Sequence, residues 1–216
     1  MTNTILFDLD GTLLDTASDM GNALNELRHT HKLPPLPLSV IRPYAGYGSR
    51  EMLKLAFNID DDHPHYADYL DGFLQNYQLH LTKTTQLFPG MDELLTQLDE
   101  KGIIWGIVTN KPSRFTYDLL KAMNLNQRAA CIICGDSLSK RKPDPDQILH
   151  ACDLLKCSPA ETIYLGDTII DVIASKAAGT KSIVALYGYI KAEEDPLSWN
   201  ADGYIKHPAD IMDWLF

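Results

Sequence analysis

From Phe88 to Leu186, short apolar runs alternate with amphipathic stretches of helical period, and this alternation constrains the fold more than any other feature of the sequence. Helices are expected over 91–100, 113–123, 145–156 and 171–178, with strands over 103–108, 131–134, 162–165 and 182–186. Strands separated by helices pair in parallel, because a parallel connection needs a crossover long enough to hold a helix. One more strand opens the chain at Thr4. Between it and Phe88, three helical stretches (17–32, 39–57 and 63–80) follow one another without a strand pattern, the first two divided by Leu33-Pro34-Pro35-Leu36-Pro37. The expected architecture is an α/β core from residues 1–14 and 87–216, its parallel sheet flanked by helices, interrupted by an all-helical insertion over 15–86.

The first strand ends in chemistry. In Ile5-Leu6-Phe7-Asp8-Leu9-Asp10-Gly11-Thr12, two carboxylates follow an apolar run one residue apart. Positions i and i+2 share a face of a strand, so Asp8 and Asp10 leave its carboxyl end on one side, where open α/β sheets place their ligands. Three further clusters stand at or near predicted strand ends. Thr109-Asn110-Lys111-Pro112 offers a hydroxyl, an amide and a helix amino terminus to phosphate oxygens. Lys142-Pro143-Asp144-Pro145 sets a cation before a helix, and Gly166-Asp167-Thr168-Ile169-Ile170-Asp171 sets two carboxylates in a strand-end turn. Together these groups supply a nucleophile, an acid or base, phosphate donors, a counter-charge and oxygen ligands for a hard metal ion.

Composition narrows the partners. Nineteen Lys and Arg against 29 Asp and Glu give a formal charge of −10, and the cations are scattered, which argues against nucleic acid. A phosphorylated substrate would meet repulsion unless a divalent metal and local cations reverse the sign inside the site. No apolar run approaches the length of a membrane span, and strand-like sequence begins too early for a signal peptide, so a cytoplasmic protein is expected. Four cysteines do not make a disulfide framework; Cys131-Ile132-Ile133-Cys134 reads as buried structural thiols. The stretch 211–216 reads as a helix packed on the core, and either a monomer or a homodimer is compatible with the chain.

The four clusters resemble, in order and interval, the four motifs of the haloacid dehalogenase superfamily, and the helical insertion after the first resembles the small cap of its phosphoglycolate-phosphatase-like branch. The resemblance covers essentially the whole chain. It implies a Rossmann-like core and dependence on Mg2+. It also implies roles: Asp8 as the nucleophile that becomes an aspartyl-phosphate, Asp10 as general acid and base, Thr109 and Asn110 at the phosphoryl group, and Lys142 as counter-charge. Asp8, the backbone carbonyl of Asp10 and Asp167 would hold the metal, with Asp171 in the adjoining shell. Because haloacid dehalogenases usually lack the second acidic group of the first motif, Asp10 favours phosphate. The resemblance points first to phosphoglycolate as substrate and next to N-acetylmuramic acid 6-phosphate, ahead of a β-phosphoglucomutase-like transferase or a non-catalytic regulator. Specificity is expected in Ile41-Arg42-Pro43-Tyr44-Ala45-Gly46-Tyr47-Gly48-Ser49-Arg50, with Arg42 pairing a carboxylate on a small phosphorylated metabolite.

Overall fold

The computed structural model describes residues 3–215. Residues 1, 2 and 216, the outermost positions of the expected core segments and of the C-terminal stretch, lie outside the described residues. In chain order the elements are β1 (Thr4–Phe7), β2 (Leu14–Asp15), α1 (Ala17–Thr30), α2 (Leu38–Ile41), α3 (Gly48–Phe57), α4 (Tyr66–His80), β3 (Gln86–Leu87), α5 (Met91–Glu100), β4 (Ile104–Val108), α6 (Ser113–Ala122), β5 (Ile132–Ile133), α7 (Asp146–Leu155), β6 (Thr162–Gly166), α8 (Ile169–Ala178), β7 (Lys181–Ala185) and β8 (Gly203–Ile205). Six strands form one parallel sheet in the order β5-β4-β1-β6-β7-β8. Counting only its strands along the chain, that order is 3-2-1-4-5-6, the doubly wound arrangement whose connections diverge on either side of the first strand.

The strand period of two distributes the core between the sheet's faces. Ile5 and Phe7, Trp105 and Ile107, and Ile163 and Leu165 join the cluster that includes Leu94, Leu95 and Leu98 of α5 and Phe115 and Leu119 of α6. The alternate residues Leu6, Val108 and Tyr164 face Ile148 and Ala151 of α7 and Ala174 and Ala178 of α8. Both faces are therefore covered by helices, as a parallel sheet requires.

The insertion is all-helical apart from its ends. Helices α1 and α4 pack along each other, with α2 and α3 beside them. The chain leaves through β2 and returns through β3, which pair antiparallel with Leu14 opposite Leu87 and Asp15 opposite Gln86. Buried Asp19 of α1 fastens the return segment, accepting hydrogen bonds from the backbone N–H and hydroxyl of both Thr84 and Thr85.

Several elements differ from expectation. The single helix expected over 39–57 is broken: Arg42–Tyr47 forms a 3-10 turn between α2 and α3. Pro43 lacks a backbone N–H for an α-helical bond, and Gly48 has φ +82°, a left-handed value that stops propagation. The two-residue strands β2 and β3 and the edge strand β8 have too few residues to show a period. The C-terminal stretch is a 3-10 helix, Pro208–Trp214, that seats Ile211 on the core.

Candidate active site

Three neighbouring strands deliver the site. Asp8 follows β1, and its backbone N–H still bonds Leu165 O at 2.8 Å; Thr109 follows β4, held by Ile133 O at 2.9 Å; Asp167 follows β6. These carboxyl ends lie side by side where the strand order reverses. The turn after Asp10 passes so close to β6 that a Cβ on Gly11, at φ +86°, would lie 2.1 Å from Asp167 Oδ2. Only glycine fits there, which is the steric reason for Asp10-Gly11-Thr12.

Lys142 is the electrostatic centre. Its side chain is 1% exposed, and its three N–H groups are shared among four acceptors: Asp8 Oδ1 at 2.8 Å, Asp171 Oδ1 at 2.8 Å, Tyr164 Oη at 2.7 Å and Val108 O at 3.1 Å. Burial works to deprotonate this lysine, but the charges of Asp171 and Asp8 outweigh it and hold its pKa above the ordinary value. The loop carrying it is fixed by Gln147, which accepts from Lys142 N and donates to Thr109 O and Cys134 O, and by Asn110 Nδ2 donating to Lys142 O.

Asp171 plays two structural parts at once. It closes the capping box of α8, accepting from Thr168 N at 3.0 Å and Thr168 Oγ1 at 2.6 Å, while its other oxygen faces Lys142. Asp167 accepts from Thr12 Oγ1 and Tyr189 N. Burial is the main force raising Asp8 to a pKa of about 7, opposed by Lys142. Burial, with the charges of Asp8 and Asp171, lifts Asp167 well above the usual carboxylate range.

These shifts test the fit of a metal ion. Ligand oxygens of Asp8, Asp167 and Asp171 lie within 4.8 Å of one another, all buried, and Lys142 pairs with only two of the three, Asp8 and Asp171. An oxygen-only, anion-rich pocket of this kind fits a hard divalent cation. Asp171 brings an oxygen into this group while its two oxygens also serve Lys142 and the Thr168 cap.

The Asp10 carboxylate faces elsewhere. It accepts from Lys111 Nζ at 3.0 and 3.1 Å and from Thr16 Oγ1 at 2.6 Å. Asp10 opposes the burial of Lys111 and keeps its pKa above the ordinary lysine value. Lys111, Gln147, Tyr164 and Thr12 were all missed as site residues. The sequence signals were the place of Lys111 inside the Thr109–Pro112 cluster and of Thr12 at the end of the first motif; Gln147 and Tyr164 find their partners through long-range packing.

A cavity of about 610 Å³ opens over these groups. Its floor includes Asp8, Asp10, Thr109 and Lys142; Tyr66, Leu70, Phe73, Leu74 and Tyr77 of α4 form an apolar wall. Arg42 is not among the lining residues. It grips both oxygens of Asp15 at 2.9 and 2.8 Å beside the rings of Tyr189 and Phe88. The arginines that do line the cavity are Arg50 and Arg141.

Comparison with known proteins agrees with this architecture. The family model for haloacid dehalogenase-like hydrolases matches residues 5–185. The chain is 40% identical over 209 residues to a phosphoglycolate phosphatase of Xanthomonas campestris pv. campestris, spanning 97% of this chain and 94% of that one. It is 36% identical over 211 residues to an N-acetylmuramic acid 6-phosphate phosphatase of Pseudomonas aeruginosa, spanning 98% and 93%. Its fold is similar to the crystal structure of a predicted phosphoglycolate phosphatase from Haemophilus somnus 129PT, with a TM-score of 0.88 and 24% identity over 99% of this chain and 98% of that chain. With its parallel core, inserted helices and buried aspartate cluster, the chain belongs to the haloacid dehalogenase-like hydrolases, in their phosphoglycolate-phosphatase-like branch.

Proposed function

We propose that this chain hydrolyses phosphomonoesters through an aspartyl-phosphate formed on Asp8. The observation that carries the reading is the pairing, in one cavity, of a buried carboxylate held by Lys142 with a second carboxylate, Asp10, that belongs to a separate ion pair. In the first half-reaction Asp8 attacks phosphorus, and the ester oxygen departs with a proton from Asp10. In the second, Asp10 takes a proton from water, whose oxygen attacks phosphorus and frees phosphate and Asp8. Thr109 binds the transferring phosphoryl group, Asn110 fixes the Lys142 loop, and Lys142 offsets the negative charge that gathers beside Asp8. Asp8, Asp167 and Asp171, with the Asp10 backbone carbonyl, would hold Mg2+. When bound, the ion supplies positive charge to the phosphoryl oxygens.

The division into a core of 1–14 and 87–216 and a cap of 15–86 is part of this reading, supported by the β2–β3 ribbon at both crossings. A cytoplasmic setting fits the free state of all four cysteines. Among the described residues, no helix is long and apolar enough to cross a membrane.

The cation requirement should appear in stability as a function of pH. Asp8 and Asp167 both have pKa values raised by folding, so the stability associated with them is full below the ordinary value of 3.8 and is lost as pH rises through about 7 for Asp8. A divalent cation removes that loss. Melting in Mg2+ against chelator should therefore give a small Tm increase at pH 5.5 and a distinctly larger one at pH 7.5; an increase independent of pH would contradict this site.

The cavity favours a substrate larger than phosphoglycolate. Its volume of about 610 Å³ lies within the range of pockets for ligands of many atoms, and its α4 wall offers apolar contact that a two-carbon acid cannot use. A phosphorylated sugar acid such as N-acetylmuramic acid 6-phosphate presents a ring and acyl groups to that wall and a carboxylate to Arg141, the other lining arginine, Arg50, being paired with Asp60 and Asp61. The second reading, phosphoglycolate, is favoured by the relatives that carry that name. We expect kcat/KM for N-acetylmuramic acid 6-phosphate to exceed that for phosphoglycolate by about tenfold or more, the scale of discrimination from a few added contacts. Glucose 6-phosphate should fall below the sugar acid, and chelator should silence all three. The reverse order would establish the smaller substrate, and inactivity on every phosphomonoester in Mg2+ would refute the phosphatase reading.

A further inference from the structure

Lys111 and Tyr77 stand out because no step above uses them, yet both are buried in the wall of the cavity. Lys111 comes from the loop after β4 and Tyr77 from α4 of the insertion, so they meet across the boundary between sheet and helices. The Lys111 ammonium lies 4.6 Å from the centroid of the Tyr77 ring. Its side chain is 4% exposed, and its hydrogen bonds go to the two oxygens of Asp10. An ammonium has three donors, so one remains after Asp10 is served. Tyr77 is 2% exposed, and its hydroxyl interacts with the Lys111 ammonium without reaching hydrogen-bond geometry and, among the described residues, with no other partner. A buried hydroxyl in that condition is destabilising unless something enters to satisfy it. The ring has little freedom to turn toward water, packed against Phe115 at 5.1 Å and Phe73 at 6.3 Å between centroids.

We infer that Lys111 and Tyr77 form a leaving-group subsite that binds an oxygen substituent of the substrate's alcohol, close to the ester oxygen. The inference rests on the proposed service of that ester oxygen by Asp10. Since Lys111 already touches Asp10, an atom bound by its free donor lies within a few bonds of the oxygen being protonated. The subsite therefore selects esters of hydroxy acids and sugars, whose alcohols carry a carboxylate, ring oxygen or hydroxyl near the ester. It gives nothing to an unsubstituted aryl or alkyl phosphate. Lys111 also acts as a positioning residue, because the contact that holds the substrate oxygen is continuous with the one that holds Asp10.

Tyr77→Phe tests this, because it keeps the ring and removes only that oxygen. We expect kcat/KM for N-acetylmuramic acid 6-phosphate or phosphoglycolate, whichever the wild type prefers, to fall about tenfold, as for one lost hydrogen bond in a dry site. For phenyl phosphate the fall should stay below about twofold by the same reasoning, since it offers no second oxygen. The variant's Tm should equal or exceed that of the wild type, an outcome opposite to that of a structural tyrosine. Equal losses on the preferred ester and on phenyl phosphate, or no loss on either, would overturn the subsite. Wild-type protein that hydrolyses none of the three esters in Mg2+ would instead overturn the phosphatase reading itself.

Discussion

Asp8→Asn should abolish turnover, lowering kcat by at least about 10⁴-fold, the scale on which loss of a covalent nucleophile is felt. The amide oxygen can still accept from Lys142, so the hydrogen bond at 2.8 Å survives while the attacking lone pair of a carboxylate does not. The fold should also survive. Burial destabilises the charged form of Asp8, as its pKa of about 7 records, and a neutral amide escapes that penalty. In chelator at pH 8 the variant should melt no lower than the wild type, and it should trap no acid-stable or acid-labile phosphate on the protein. Turnover retained by a folded Asp8→Asn protein would remove Asp8 from the chemistry.

Lys142→Ala should fail in a different manner, by stability as well as by rate. Its removal leaves Asp8 and Asp171 buried without their common cation, and strips a donor from Tyr164 and Val108. Breaking a buried ion pair from one side is destabilising by about 3–5 kcal/mol. For a chain of this size that corresponds to a fall in Tm of roughly 10 °C. Added Mg2+ should restore part of the loss, since it replaces missing positive charge among the same carboxylates. Melting at the wild-type temperature in chelator would mean that Lys142 is not the counter-charge of this cluster.

Much of the frame was legible because it depends on local pattern. The short apolar runs after Phe88 and the period-3.6 helices between them are local signals, and burial on both faces of a parallel sheet follows from their alternation. Asp8 and Asp167 were visible for the same reason: each ends an apolar run. What stayed hidden depends on partners distant in sequence. Nothing beside Arg42 reveals that Asp15, 27 residues earlier, will occupy its guanidinium. Likewise, Lys111 and Asp10 are 101 residues apart and are joined only because β1 and β4 are neighbours in the sheet. Tyr77 reads as one more apolar position of a helix until its hydroxyl is found enclosed. The break at Arg42–Tyr47 was legible in principle from Pro43 and Gly48, but the helical period on both sides masked it.

The short ribbon formed by Leu14–Asp15 and Gln86–Leu87 has a consequence for how such chains diversify. Paired strands lie about 4.8 Å apart, so the polypeptide leaves and re-enters the sheet region at nearly one point. The excursion between those points can then lengthen, shorten or be exchanged with little change in the entropy of closing the core around it. Substrate range can thus drift by recombination of whole cassettes while phosphorus chemistry stays under separate selection. The points where the excursion touches the chemistry escape that freedom. Thr16 and Tyr77 reach back from the excursion to Asp10 and Lys111, and a transplanted cassette would have to bring equivalents of both.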